Sequence, residues 1–159
     1  MEVRINDTYE EMSAAAAEFV IRQLRHKPSS VIGLAAGGTP CLLYQLLGEA
    51  CAAGEVDFSQ VRTFSLDEYV GLGADHPQSY RYFMEKRLFS RVNLSAAHIA
   101  APDGMAADIA AECARYGAAI EAAGGIDLMI LGIGPNAHIG FNEPGPNYQI
   151  GRASCRERV

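Results

Sequence analysis

At 159 residues, 49% hydrophobic and 20% charged, the chain is sized for one globular domain with a substantial core. Its formal net charge of -6 argues against a nucleic-acid or anionic-membrane surface, although a nest of backbone N–H groups can still bind a small anion locally. No apolar run reaches the roughly eighteen residues of a membrane span, and Met1-Glu2-Val3-Arg4-Ile5 does not open a signal peptide.

Thr8 followed by Glu11 reads as a capping box, and Met12, Ala15, Ala16, Phe19, Val20 and Leu24 then recur at helical spacing until Pro28. Residues 31–35 form an apolar run of buried-strand type. Pro40 suits the first turn of a second helix capped by Thr39, carrying Leu42, Leu43, Leu46 and Leu47 and ending near Gly54. Residues 61–66 have the β-branched and aromatic content of another strand. A polar loop follows, then a helix over 78–89, a short strand over 98–100, and an alanine-rich helix over 105–123 stopped by Gly124 and Gly125. The last strand is 126–131. Strands alternating with helices define an α/β fold with an open, mainly parallel sheet and helices on both faces, Rossmann-like in class.

In such sheets ligands bind beyond the carboxyl ends of the strands. Three strands here end in polar loops: Gly37-Gly38-Thr39, Asp67-Glu68-Tyr69, and the stretch from Gly134 to Glu143. Gly37, Gly38 and Thr39 open a helix and are either a phosphate cradle or a tight turn that needs glycines. Asp67 is either a general base or a turn and cap residue. His138 and Glu143 lie five residues apart, close enough for a carboxylate to orient one ring nitrogen while the other faces a substrate; the alternative is a Gly/Pro-rich turn with an incidental histidine. Cys41, Cys51, Cys113 and Cys155 are scattered without zinc-type spacing and read as reduced cytoplasmic thiols, so neither they nor the histidines suggest a metal site. The glycine motifs match no nucleotide-binding pattern.

At these residues the chain resembles the glucosamine-6-phosphate deaminase family of the sugar-phosphate isomerase/lactonase superfamily. The match runs through Gly33-Leu34-Ala35-Ala36-Gly37-Gly38-Thr39-Pro40, then Leu66-Asp67-Glu68-Tyr69-Val70-Gly71-Leu72 with Pro77-Gln78-Ser79-Tyr80, and ends with Leu131-Gly132-Ile133-Gly134 and His138-Ile139-Gly140-Phe141-Asn142-Glu143-Pro144. The resemblance implies conversion of glucosamine 6-phosphate and water to fructose 6-phosphate and ammonia, as in amino-sugar catabolism. It makes Asp67 the base that moves a proton from C2 to C1 through an enediol-type intermediate. His138 assists ring opening with Glu143 and, in a supporting role, Asn136; some relatives have an Asp where this chain has Asn136. Gly37, Gly38 and Thr39 fall to the substrate phosphate. No metal or cofactor is implied, the partner is the amino-sugar phosphate, and a homo-oligomer of a full-length parent is left open.

Family members continue well past this length, so the expected sheet is incomplete at its C-terminal end. Residues 1–150 read as the N-terminal part of a deaminase domain. Residues 151–159, with three of the chain's thirteen Lys/Arg residues, read as a tail foreign to it. Two other readings stand beside the deaminase. One is a 6-phosphogluconolactonase-type hydrolase, which typically shows Asp-Glu-Arg where this chain has Asp67-Glu68-Tyr69. The other is an inactive fragment with an exposed sheet edge.

Overall fold

A computed structural model of the chain describes residues 2–144 and the short strand 154–156. Helix α1 (Tyr9–His26) starts where the Thr8 hydroxyl accepts the Glu11 N–H at 3.1 Å. The Glu11 carboxylate accepts from the Asp7 N–H, one residue earlier than a standard capping box requires. The inward stripe is Ser13, Ala17, Val20 and Leu24, and the helix packs against α2 (Cys41–Ala52). Met12 and Phe19, expected on the buried face, lie off this stripe and are 38% and 45% exposed.

Four parallel strands form the main sheet: β1 (Val31–Leu34), β2 (Arg62–Ser65), β4 (Ile99–Ala100) and β5 (Leu128–Met129), in the order β4-β2-β1-β5. Residues along β1 alternate between faces. Ile32 and Leu34 pack with α1, with Leu43, Tyr44 and Leu47 of α2 (Cys41–Ala52), and with Met84 of α3 (Tyr80–Arg87). Val31 packs on the other side with Phe64 and with Tyr116 of α4 (Ile109–Ala122). Helices therefore cover both faces, as the alternating pattern predicts.

Two buried tyrosines fasten the carboxyl edge of this sheet. Tyr44 donates its hydroxyl to the Ala35 carbonyl at 2.6 Å, just beyond β1. Tyr116 donates to the Ser65 carbonyl at 2.8 Å, at the end of β2. Each phenol satisfies a carbonyl at the point where a strand becomes a loop, so the loop starts from a fixed position.

Several boundaries differ from the sequence expectation. The helix expected over 105–123 begins only at Ile109, capped by the Asp108 side chain, which accepts the Ala111 N–H. The residues just before it are committed elsewhere. The Gly104 carbonyl accepts the Gly71 N–H at 2.7 Å, and a Cβ on Gly104 would lie 2.3 Å from the Tyr69 carbonyl oxygen. The helix expected over 78–89 is shorter, ending at Arg87 before a 3-10 turn, Phe89–Arg91. Asp67-Glu68-Tyr69 is a short strand, β3 (Asp67–Tyr69), rather than a loop. It pairs in parallel with β6 (Ser154–Arg156). The remaining residues of 145–159, and the readings that fall on them, lie outside the described residues. Among the described residues no helix is long and apolar enough to cross a membrane.

Candidate active site

The loops after β1, β2 and β5 surround a single cleft of about 250 Å³, with Gly37, Gly38, Thr39, Asp67 and His138 all in its lining. Parallel strand direction accounts for this, because every strand of the main sheet delivers its following segment to the same edge. A larger groove of about 630 Å³ lies between α1 and α2, away from these loops.

Gly37 has φ of +119°, a backbone conformation open to glycine and strained for other residues. The sequence predicts Thr39 as the cap of α2, but Pro40 occupies the cap position and no side chain bonds there. A residue from α1 substitutes for it. The Tyr9 hydroxyl donates to the Thr39 carbonyl at 2.9 Å, and its oxygen accepts the Leu42 N–H at 3.2 Å. Among the described hydrogen bonds, none uses the Thr39 hydroxyl or the N–H groups of Gly37, Gly38 and Thr39. Those donors border the cleft at a helix N-terminus, which is the arrangement that binds an anion.

Asp67 is 3% exposed, and its carboxyl is pushed up to about 7, chiefly by burial and secondarily by the neighbouring Glu68 charge. Near neutral pH it therefore interconverts between acid and base, as a group that takes and returns a proton must. Gly140 helps to cover it. Its φ is +57°, and a Cβ there would sit 2.8 Å from Leu66 Cδ2 and 3.1 Å from Asp67 Oδ2. Gly140→Ala should lower stability by about 1–2 kcal/mol and push the His138 loop away from Asp67. Thermal melts paired with turnover should show activity falling further than the stability change alone would require.

His138 and Glu143 do not meet directly, contrary to the sequence expectation; Asn136 stands between them. His138 Nδ1 lies 2.5 Å from Asn136 Oδ1, and Asn136 Nδ2 donates to Glu143 Oε2 at 2.7 Å. The carboxylate fixes the amide's orientation, and the amide oxygen can only accept. Nδ1 must therefore carry the hydrogen, which leaves the Nε2 lone pair of the neutral ring for a ligand. Two backbone features hold this turn. Ala137 adopts φ of +65°, which is strained for a residue with a Cβ, and a Cβ on Gly134 would fall 2.1 Å from the His138 ring. Asn136 and Glu143 stand behind the cleft rather than in its lining.

Glu68 and Tyr80 stand inside stretches that carry the family resemblance, but the sequence reading assigns neither of them a role. Glu68 is buried and accepts the Tyr69, Tyr80 and Arg81 N–H groups at 2.9, 2.9 and 2.8 Å. Together with the Ser79 hydroxyl, which accepts the Tyr82 N–H, it satisfies the first three N–H groups of α3. Tyr80 follows that cap into the cleft lining. The available signal was Ser79 at the start of an aromatic-rich helix, a dozen residues after an acidic pair.

A family model described as "Glucosamine-6-phosphate isomerases/6-phosphogluconolactonase" matches residues 6–140. Glucosamine-6-phosphate deaminase of Thermoanaerobacter pseudethanolicus is 54% identical over 144 residues, which is 91% of this chain and 57% of that protein. The deaminase of Halothermothrix orenii is also 54% identical, covering 91% of this chain and 60% of its own length. Among solved structures, a monomeric glucosamine-6-phosphate deaminase superposes with a TM-score of 0.88 at 41% identity, covering 91% of this chain and 60% of that one. The 6-phosphogluconolactonase of Thermotoga maritima shares the fold at 24% identity, with a TM-score of 0.71 over 86% of this chain and 61% of its own. The chain thus spans less than two thirds of the length of each of these relatives.

Proposed function

The chain belongs to the glucosamine-6-phosphate isomerase/6-phosphogluconolactonase family, and from that premise we propose that it carries the proton-transfer site of a glucosamine-6-phosphate deaminase. The observation that carries this reading is a buried carboxylate poised near neutrality, facing one cleft with an oriented histidine and an uncommitted row of backbone donors.

In the proposed reaction the substrate phosphate sits on the N–H groups of Gly37, Gly38 and Thr39, with the Thr39 hydroxyl as a further donor. His138 Nε2 takes the proton of the anomeric hydroxyl and returns one to the ring oxygen, opening the pyranose. Asn136 and Glu143 support the imidazolium formed in passing. The amide bonds the ring, and the negative charge lies one hydrogen bond further back. Asp67 removes the C2 proton of the open aldehyde, giving an enediol-type intermediate, and delivers a proton to C1. The imine left at C2 is hydrolysed by water, yielding fructose 6-phosphate and ammonia. Relatives named as deaminases at 54% identity support this substrate over a lactone.

The test is incubation of the purified protein with glucosamine 6-phosphate, following ammonia by a coupled dehydrogenase and ligand-induced NMR shifts at Gly37, Gly38 and His138. Ammonia release with shifts at those residues is expected. Hydrolysis of 6-phosphogluconolactone without ammonia release would transfer the reading to the hydrolase branch. Absence of both binding and turnover would refute it.

A further inference from the structure

We propose that Tyr80 positions the substrate for proton transfer, its hydroxyl donating to the sugar hydroxyl beside the carbon that Asp67 deprotonates. This inference rests on the deaminase reading and adds to it a residue that the reading does not use.

Among the described residues, four side chains in the cleft lining carry polar groups: Thr39, Asp67, Tyr80 and His138. The proposed reaction employs three of them, one at the phosphate and two in proton movements. An open-chain amino sugar also presents hydroxyls along its backbone that must be held while C2–H is aimed at a carboxylate. Tyr80 is the remaining polar side chain of that lining among the described residues.

Its position is fixed from three sides. The Tyr80 N–H donates to Glu68, the residue after Asp67, so the start of α3 is tied to the strand that bears the base. Its ring lies against Tyr69 with centroids 4.8 Å apart and stacks on Phe141 at 5.7 Å with an interplanar angle of 27°. Phe141 belongs to the loop that carries His138. The ring therefore bridges the Asp67 strand and the His138 loop, and a phenylalanine would serve that packing equally well.

The hydroxyl is what packing leaves over. It lies 3.1 Å from the Tyr69 hydroxyl. If Tyr69 donates to Tyr80, the Tyr80 hydrogen is left to point into the cleft, and a ligand hydroxyl there fixes that direction. Burial holds the Tyr80 phenol well above its ordinary range, so it stays a protonated donor throughout the working pH range.

The experiment compares wild-type protein with Tyr80→Phe and Tyr69→Phe, using glucosamine 6-phosphate and its C2-deuterated form. Tyr80→Phe should keep the melting midpoint and lower kcat on the order of tenfold to hundredfold, with a smaller change in KM. The deuterium effect on kcat should grow, because misaligned proton transfer becomes more limiting. Tyr69→Phe, which keeps the Tyr80 hydroxyl and removes its anchor, should lose less. Tyr80→Phe turnover within twofold of wild type, or a lowered kcat with an unchanged isotope effect, overturns the role of Tyr80 and leaves the deaminase reading standing. A wild-type protein that releases no ammonia overturns both.

Discussion

Asp67→Asn should abolish ammonia release and make the folded protein more stable above neutral pH. Both effects follow from one carboxyl. In catalysis the amide cannot take the C2 proton, and loss of a positioned general base lowers turnover by about 10²–10⁴-fold. In stability the direction follows from where the carboxyl ionises. Folded Asp67 titrates near 7, against an ordinary value of 3.8. Between those values the unfolded chain has released a proton that the folded chain still holds, so stability falls as pH rises through this window and stays low above it. The cost of the buried ionised form is at most on the order of 4 kcal/mol, and the neutral amide of the substituted protein would not incur it. Denaturant melts at about pH 8 and about pH 4.5 should show the substituted protein gaining clearly at the higher pH and little at the lower. A residue needed only for packing would give a loss at both.

Glu68→Ala should act in the opposite direction. This carboxylate is as buried as its neighbour, but three backbone N–H groups converge on it, two of them from the first turn of α3. Removing the acceptor leaves those donors unsatisfied beneath the surface, at a cost of about 1 kcal/mol or more each, or about 3 kcal/mol together. The amides of Tyr80 and Arg81 should lose hydrogen-exchange protection first, and turnover should fall because Tyr80 loses its tie to β3. Adjacent carboxylates would thus carry opposite signs in the same melt, Asp67 held at an energetic cost and Glu68 stabilising the fold.

The fold was legible because each strand is an apolar run followed by a helix-period segment, and parallel order then sends all three loops to one edge. Gly37, Asp67 and His138 could be grouped by that reasoning without any contact being known. Partners distant in the chain were not legible. Tyr9 caps α2 from thirty-three residues away, through the Leu42 N–H, and displaces the local candidate Thr39. Glu68 caps α3 across twelve residues. The Asn136 link between His138 and Glu143 was hidden because sequence distance permits direct contact, whereas the strained turn at Ala137 places the amide between them. The late start of α4 had a local signal in Asp108, but alanine content over 105–107 outweighed it. In the structure Asp103 accepts the Met105 and Ala106 N–H groups, which closes a turn ahead of the helix.

The most direct test is the pH dependence of kcat/KM for ammonia release from glucosamine 6-phosphate, measured for wild type beside Asp67→Asn. The account predicts a wild-type rise through about pH 7, following ionisation of Asp67, with Asp67→Asn near background at every pH. Wild-type turnover that stays level from about pH 5.5 to about pH 8.5, or Asp67→Asn turning over at the wild-type rate, would contradict it.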